Sequence, residues 1–436
     1  MRRVLASCSL GLLLLSCSSA PKKQGNIEFV PLDEEVNVLK AIPSDIRILQ
    51  FADTFHLSRE IPLAELSLIR RLTAGRGFAV VAASGSPFDA WIAMETILNG
   101  RAGAAQNVKD ARLRGAAFLD QNIEFESLLD WIREVRRSET SLYLTGFDPG
   151  FGTSYGWRNQ FLLRVFVQSL RDYGVKKEAA AMEKEIEPLL WLRKCQETGF
   201  PRNPQDSERV RGAVKVLAGW IKGVTGTIHE RFPGLPHDRA LALLPFHLEQ
   251  VLETCRLRNS PEARFEAGAR FLSRVLTFSD EDGRILVKAP FEMVAPEAGP
   301  VPTVGDRLKK LVKGGLYTIV TVPVAGDLIA GGLKPPARIT LLGNESRLQW
   351  ILRPLKVPAF VPVHALPKTD KQFEPLYQKM PILLDGEKTR SAPAKGADAF
   401  MVFPKVRPSG KWYFDHLIEK KMDASGATPA PDQSGR

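Results

Sequence analysis

Residues 46–100 decide the fold class, and they read IRILQFADTFHLSREIPLAELSLIRRLTAGRGFAVVAASGSPFDAWIAMETILNG. The apolar run Ile46–Ala52 predicts a short strand, and the spacing of leucines and isoleucines over Pro62–Ala74 predicts a helix. Phe78–Ala83 is apolar throughout, as a buried parallel strand should be. A second helix is expected from Ser86 to Gly100, with Ser86 as its N-cap and proline at its first position. This strand and helix alternation predicts a parallel sheet covered by helices.

The rest of the chain adds helices in the middle and strands toward the end. Strands are expected at Ser141–Phe147, Arg284–Ala289 and Leu316–Val322, and the run Phe400–Phe403 suggests an edge strand in a proline-rich region. We therefore predict an α/β fold with a central parallel or mixed sheet covered by helices, and a helical insertion subdomain at about residues 156–277. The helices expected from periodicity are Glu124–Arg137, Trp157–Tyr173, Lys176–Cys195, Asp206–Thr227, Asp238–Arg256, Pro261–Thr277 and Val304–Lys313.

The N-terminus has the layout of a signal peptide. Residues 1–16 begin with two arginines and continue through an apolar stretch too short to remain as a membrane span. The run Leu14-Leu15-Ser16-Cys17 resembles a bacterial lipobox, which implies cleavage before Cys17 and its acylation with fatty acids such as palmitate. Residues 17–43 are then expected as a lipidated N-terminus and tether. The two serines after Cys17 resemble outer-membrane sorting, so we expect a lipid-anchored protein of the bacterial cell envelope.

A folded domain is expected over residues 44–421, followed by a polar, disordered tail at residues 422–436. The chain has 436 residues, 44% of them hydrophobic, and a net charge of +11, a composition that excludes fibrous and wholly disordered proteins. The basic excess lies at residues 301–421, with 20 basic against 10 acidic side chains. A solvated basic surface without a partner explains this excess best, and contact with anionic lipid or an acidic partner is the alternative. The aromatic interleaving typical of nucleic-acid binding is missing, so no nucleic-acid partner is expected.

Cysteines and histidines predict neither a cofactor nor a metal site. With Cys8 in the signal and Cys17 lipidated, Cys195 and Cys255 remain, and an exported compartment would allow them to pair. Sequence does not give their separation, so pairing stays open. The three histidines His229, His237 and His247 have spacings that do not place them on one helix face, and no metal is expected there.

Polar side chains that follow the predicted strands are the candidates for chemistry, because ligands of open parallel sheets bind at the carboxyl ends of strands. Asp53 and His56 follow the first strand, with Glu60 shortly after. A carboxylate three residues before a histidine can orient the imidazole or share a proton with it, but these residues taken alone are better explained as a polar loop that satisfies its own backbone. Asp148 follows the strand at 141–147 and is expected at the same edge, either as a turn residue or in the cleft.

The order of these landmarks resembles the erythromycin esterase family over about residues 44–418. Ala52–Leu57, with Glu60 beyond it, occupies the place of the family motif Gly-Glu-x-x-His-Gly, and Gly77-Phe78 resembles the opening of the second motif, Gly-Phe-x-x-x-Ala-x-Glu. The resemblance implies an α/β fold with a cleft that, in esterases, activates water for attack on a lactone. Further runs that resemble the family are Asn122–Arg133, Leu144–Asp148, Val304–Leu308 and Leu316–Ile319.

Several positions depart from the family pattern. Esterases of the family use the motif Glu and His together with a second Glu after the second strand and a His after a late strand. This chain keeps His56, but Asp53 replaces the first Glu, Ser84 stands at the second Glu position, and Pro290–Met293 replaces the late histidine stretch. The cleft is therefore expected to contain Asp53, His56, Ser84, Glu60, Asp148 and Glu292.

Three functions stay open. In the first, the chain is a non-catalytic pseudoenzyme with a degenerate site, not a macrolide esterase. In the second, it hydrolyses ester or lactone bonds with an altered centre, for example with Ser84 as nucleophile, His56 as base and Asp53 orienting the base. In the third, it is an envelope protein that binds a small hydrophobic or haem-like ligand. Protein partners are not indicated by the sequence.

Overall fold

The structure is a computed structural model of the chain. His56 and Cys17 fall outside the residues it describes, as does all but residue 171 of the helix expected at Trp157–Tyr173. The described residues are 21–55, 58–87, 90–91, 127–128, 130–132, 134–135, 142–149, 171, 174, 176–177, 180–181, 195, 200–231, 236–257, 260–278, 283–312, 315–330, 337–384 and 387–408.

A nine-stranded mixed sheet forms the centre of the molecule, which confirms the α/β prediction. Its strands in spatial order are β1 (Lys22–Gln24), β2 (Ile27–Pro31), β10 (Ala359–Pro362), β13 (Ala399–Phe403), β7 (Leu316–Pro323), β3 (Ile48–Asp53), β6 (Arg284–Pro290), β4 (Phe78–Ala83) and β5 (Tyr143–Gly146). The six strands from β13 to β5 run parallel, and β10, β2 and β1 add antiparallel pairs at one edge. Two antiparallel hairpins lie outside this sheet, β8 (Ala325–Ala330) with β9 (Ala337–Leu342) and β11 (Met380–Leu384) with β12 (Glu387–Ser391).

Helices cover both faces of the sheet. The helices with defined bounds are α1 (Glu35–Ala41), α2 (Glu60–Arg76), α3 (Pro204–Arg231), α4 (Pro236–Arg256), α5 (Pro261–Phe278), α6 (Phe291–Val294), α7 (Val304–Leu311), α8 (Arg347–Leu352) and α9 (Pro393–Gly396), with 3₁₀ turns at Val363–Ala365 and Glu374–Tyr377. Helix α3 packs against α4, α4 packs against α5, and α5 packs on α7. None of the described helices is both long and apolar enough to cross a membrane.

Successive side chains of β3 point to opposite faces of the sheet and therefore contact different helices. Gln50 points to the face covered by α7, where Thr318 Oγ1 of β7 donates a hydrogen bond to Gln50 Oε1 at 3.1 Å. Asp53 points to the opposite face, where α2 lies. The strand is buried at every position because both faces are covered. Gly77, at φ +68°, ends α2 in the left-handed conformation that glycine adopts without a steric penalty.

Two expectations from the sequence differ from the structure. The run Phe400–Phe403 belongs to β13, which is not an edge strand but lies fully buried between β10 and β7. An apolar run in the sequence indicates that a strand is buried, but it does not indicate whether the strand has one neighbour or two. The folded region also begins before residue 44, because Ile27 and Phe29 of β2 are core residues within the stretch expected as a tether.

Candidate functional site

The carboxyl edge of the parallel strands carries three of the side chains singled out from the sequence. Asp53 ends β3, Ser84 follows β4, and Asp148 lies two residues beyond β5. Strand β6 lies between β3 and β4, so Asp53 and Ser84 are separated by one strand. The residues of β6 therefore decide what these side chains contact.

Asp53 is sealed inside the protein. Its side chain is 1% exposed. Register places Asp53 beside Thr321 of β7, and the Thr321 hydroxyl donates a hydrogen bond to Asp53 Oδ1 at 2.9 Å. The other carboxylate oxygen, Oδ2, accepts a hydrogen bond from Lys288 Nζ of β6. Both oxygens are therefore engaged by neighbouring strands.

Lys288 bridges two buried carboxyl groups. Besides Asp53, its ammonium donates to Glu65 Oε2 of α2 at 2.6 Å. The side chains of Lys288 and Glu65 are 6% and 1% exposed. A lysine at such depth is rare unless it is paired. Asp53, Lys288 and Glu65 together are called the buried charged cluster below.

The net charge of the cluster is zero when one of its two carboxyl groups is protonated, because Lys288 supplies a single positive charge. Burial raises the pKa of Glu65 well above its usual value, the negative charge of Asp53 raises it further, and Lys288 opposes this rise. Glu65 Oε1 has no hydrogen-bond partner among the described residues. An uncharged Glu65 beside an ion pair of Asp53 and Lys288 costs less desolvation than two buried carboxylates sharing one cation.

The loops that follow β4 and β5 come into direct contact. Ser84 continues the sheet ladder, donating its backbone N–H to the Lys288 carbonyl at 2.9 Å, and the Asp148 N–H donates to the Gly85 carbonyl at 2.9 Å. A Cβ atom on Gly146 would come within 2.2 Å of that same Gly85 oxygen. Glycine is therefore required at 146 to let these loops meet. Ser84 itself is half-buried.

Ser86, two residues past Ser84, contacts a histidine. Its Oγ lies 3.3 Å from His247 Nε2 of α4, and both side chains are buried. The imidazole also packs edge-on against Phe271. Burial lowers the pKa of His247 to about 3, and the nearby charge of Asp148 opposes this only in part. The imidazole is therefore neutral at pH 7. The sequence spacing indicated that His247 is not a metal ligand, but it gave no sign of the contact with Ser86.

Two other predicted cleft residues are engaged in ion pairs, and a third points to solvent. Asp148 binds Arg264 of α5, whose Nε lies 3.3 Å from Oδ1 while its Nη2 contacts Oδ2. Glu60, at the start of α2, accepts hydrogen bonds from the backbone N–H and the Nε of Arg407, both at 2.8 Å. Glu292 is exposed on α6. These three carboxylates do not converge with Asp53.

Sequence reasoning missed Lys288, Glu65 and Thr321. A signal existed for two of them, since Lys288 interrupts the apolar strand ILVKAP and Glu65 lies among the apolar positions of α2. A charge within a buried element predicts an opposite charge facing it. The described residues contain no group of three or more His, Cys, Asp or Glu side chains placed to hold a metal ion.

A cavity of about 330 Å³ opens between α1, α2, strand β13 and Pro358, the residue before β10. Its walls are mostly apolar, and the acidic residues Asp33, Glu35 and Glu60 also line it. Of the predicted cleft residues it includes Glu60 but not Asp53, Ser84 or Asp148. The apolar side chains that line it include Leu32, Val38, Leu63, Leu68, Met401 and Phe403.

The sheet order, the helical cover and the polar carboxyl edge define an α/β protein with a mixed sheet, and comparison with solved structures narrows this class. A Bacillus cereus protein superposes with a TM-score of 0.61 at 14% identity, covering 89% of this chain and 95% of that one. A succinoglycan biosynthesis protein gives a TM-score of 0.59 at 14% identity, with the same coverages. A variant of the erythromycin esterase EreC in its open conformation gives 0.55 at 16% identity, covering 86% and 95%.

The chain therefore has an erythromycin-esterase-like fold, as the order of its sequence landmarks had indicated. No family model matches the sequence, and no curated protein matches it either.

Proposed function

We propose that this chain is an exported, lipid-anchored protein that uses an erythromycin-esterase-like fold without the hydrolytic chemistry of a macrolide esterase. The sealed Asp53 carries this proposal. A general base must come within about 2.6–3.2 Å of the water it activates. Asp53 is 1% exposed, and its carboxylate oxygens are engaged by Thr321 and Lys288. Among the described residues, both carboxylate oxygens already accept hydrogen bonds inside the fold, which supports a structural role for Asp53 over that of a general base.

The histidine of the neighbouring pair does not replace this base. A catalytic base works best when its pKa lies near the operating pH. The pKa of His247 is about 3, so its neutral imidazole attracts the Ser86 proton weakly. The pair is also buried, with Ser86 and His247 at 4% and 1% exposure. Its contact with Ser86 is therefore better explained as hydrogen-bond satisfaction inside the fold.

The activity test compares hydrolysis of erythromycin and of an activated phenyl ester by the purified chain with hydrolysis in buffer alone. We expect no acceleration. The variant His56→Ala removes the family's retained histidine, and His364→Ala removes an exposed histidine as a matched control. Turnover that His56→Ala abolishes and His364→Ala preserves would overturn the proposal.

The anchor rests on the lipobox-like run ending at Cys17. Cells that express the chain and are fed radiolabelled palmitate should incorporate label into it, and the protein should sediment with envelope membranes. Cys17→Ser should lose both the label and the sedimentation. Cys8→Ser lies within the same segment and should keep both, which makes it the matched control. Label that persists in Cys17→Ser contradicts the anchor.

A second function, the binding of a small hydrophobic ligand, is favoured by the apolar cavity beside α2. Its volume of about 330 Å³ is at the lower end of the range of ligand pockets, about 300–1,000 Å³. Native mass spectrometry of protein purified from envelopes should show a bound mass. Ala64→Trp fills the cavity wall and should lose that mass, whereas Ala74→Trp on the exposed side of α2 should keep it. A wild-type chain without any bound mass removes this candidate.

A further inference from the structure

Two cysteines that are distant in sequence lie together in the helical part of the molecule. Cys195 and Cys255 are both free in this structure and fully buried. The two thiols are hydrogen-bonded to each other. The rest of the chain's four cysteines, Cys8 and Cys17, belong to the N-terminal segment expected to be cleaved or acylated. In the mature protein the buried pair would therefore hold all the free thiols.

The backbone around the pair is held in place by independent contacts. Cys255 lies in the last turn of α4, and its carbonyl accepts the backbone N–H of Phe200 at 3.1 Å. The guanidinium of Arg256 lies over the Phe200 ring at 5.4 Å, and that of Arg211 at 5.7 Å. Phe200, five residues after Cys195, is thus held at the end of α4. Thiol contact in this setting needs no large backbone movement to become a bond.

We propose that Cys195 and Cys255 form an intrachain disulfide that joins Cys195 to the end of α4. The oxidant is a protein or small-molecule disulfide, the kind of donor present in exported compartments. The presence of that oxidant rests on the proposed export of the chain, whereas the pairing rests on the contacts above. The bond closes a loop that contains α3 and most of α4, so it restricts the unfolded chain across the whole helical region.

The exchange proceeds in two balanced steps. The thiolate of Cys195 attacks one sulfur of the donor disulfide, forming a mixed disulfide and releasing the first donor thiolate. The thiol of Cys255 then loses its proton and attacks the Cys195 sulfur, which forms the intrachain bond and releases the second donor thiolate. Two electrons reduce the donor disulfide, and two protons from the cysteine thiols end on the released donor thiols.

Cys195 is the first thiol to attack because its surroundings favour the thiolate more than those of Cys255 do. The hydrogen bond from Cys255 and the charge of Arg256 lower the pKa of Cys195 against the opposing effect of burial. The same hydrogen bond, together with burial, raises the pKa of Cys255. Because both side chains are sealed in the folded state, the donor reaches them while the helices are still packing.

The first test uses the full chain carrying Cys8→Ser and Cys17→Ser, so that Cys195 and Cys255 are its two thiols. The reduced chain is unfolded in urea and refolded in a glutathione redox buffer. We expect its mass to fall by two hydrogen atoms, and proteolysis to release a peptide pair joined through residues 195 and 255. Two free thiols, or glutathione bound to both cysteines, would overturn the pairing. Cys255→Ser in the same background should retain a free or glutathione-bound Cys195.

The second test separates the pairing from the compartment. The wild-type chain is isolated from cell envelopes, denatured without reductant and treated with iodoacetamide. No alkylation at residues 195 and 255 is expected before reduction, and alkylation of both after it. If both are alkylated without reduction although the refolded chain forms the bond, the pairing stands and the proposed export is contradicted. If the bond fails in both tests, the pairing itself is wrong.

Discussion

The buried charged cluster and the Ser86–His247 pair both lie at the carboxyl edge of the sheet, but they accommodate ionisable groups in opposite ways. The cluster keeps an ion pair between Asp53 and Lys288 inside the protein. The Ser86–His247 pair contains no ion, because burial holds the imidazole neutral. A buried ion pair depends on each partner, whereas a buried neutral pair depends on pH. Removal of one side chain should therefore destabilise the protein through the buried charged cluster, whereas acid should destabilise it through the Ser86–His247 pair.

The largest effect is expected for Lys288→Met. Without the ammonium, Asp53 and Glu65 become two buried carboxyl groups with no cation between them. Breaking a buried pair in this way costs about 3–5 kcal/mol of unfolding free energy. Urea unfolding at pH 7 measures it. Lys215→Met, on an exposed position of α3, is the matched control and should change the free energy by less than about 0.5 kcal/mol.

A double variant sharpens this result. Adding Asp53→Asn to Lys288→Met removes the charge that the first substitution leaves unpaired, so it should recover part of the lost stability. A Lys288→Met chain as stable as the wild type would mean that the three side chains are hydrated and not sealed.

A somewhat smaller effect is expected from acid acting on His247. The folded pKa of about 3 lies below the unfolded value of about 6.5, so the folded state binds fewer protons. Stability should therefore be complete above about pH 6.5 and fall as the pH drops toward 3. Since one pKa unit corresponds to about 1.4 kcal/mol, the loss between pH 7 and pH 4 is on the order of 3 kcal/mol.

The measurement compares the unfolding free energy at pH 4 and pH 7 in the wild type and in His247→Gln. The glutamine variant should lack this part of the pH dependence. His364→Gln, at an exposed position, should follow the wild-type profile. A His247→Gln profile parallel to that of the wild type would show that acid acts elsewhere.

The parallel strands were predictable because the signal for them is local. Phe78–Ala83 is apolar at every position, and the predicted range coincides with β4. The antiparallel additions were not predictable in this way. β1 and β2 begin the fold within a stretch assigned to a tether, and the proline-rich segment around β10 shows no clear period. The interior position of β13 depends on which strands pair with it, and pairing between distant segments leaves no trace in the local pattern.

The candidate site was half predictable for the same reason. Asp53 was found because residues after parallel strands gather at one edge. Its partner Lys288 is 235 residues away, and Ser86 and His247 are 161 residues apart. A charged residue within an apolar strand predicts an oppositely charged partner, but it does not indicate which residue that partner is. Ser84 was chosen as the serine of interest, yet the contact with a histidine belongs to Ser86, because the geometry of the loop after β4 decides which hydroxyl faces α4.

The smallest expected effect concerns Glu65, whose pKa is raised, and it has the opposite sign to that of His247. A raised folded pKa means that the folded state holds the proton more tightly than the unfolded chain does. Stability from this group should be complete below about pH 4.5 and decline as the pH rises above that value. Between pH 5 and pH 6 the wild type should lose about 1 kcal/mol relative to Glu65→Gln, because one pH unit corresponds to about 1.4 kcal/mol and the unfolded carboxyl group is already mostly ionised in this range. If the wild type instead became more stable relative to Glu65→Gln between pH 5 and pH 8, the effect of Lys288 on the pKa of Glu65 would outweigh that of burial. The cluster would then hold two carboxylates and one ammonium.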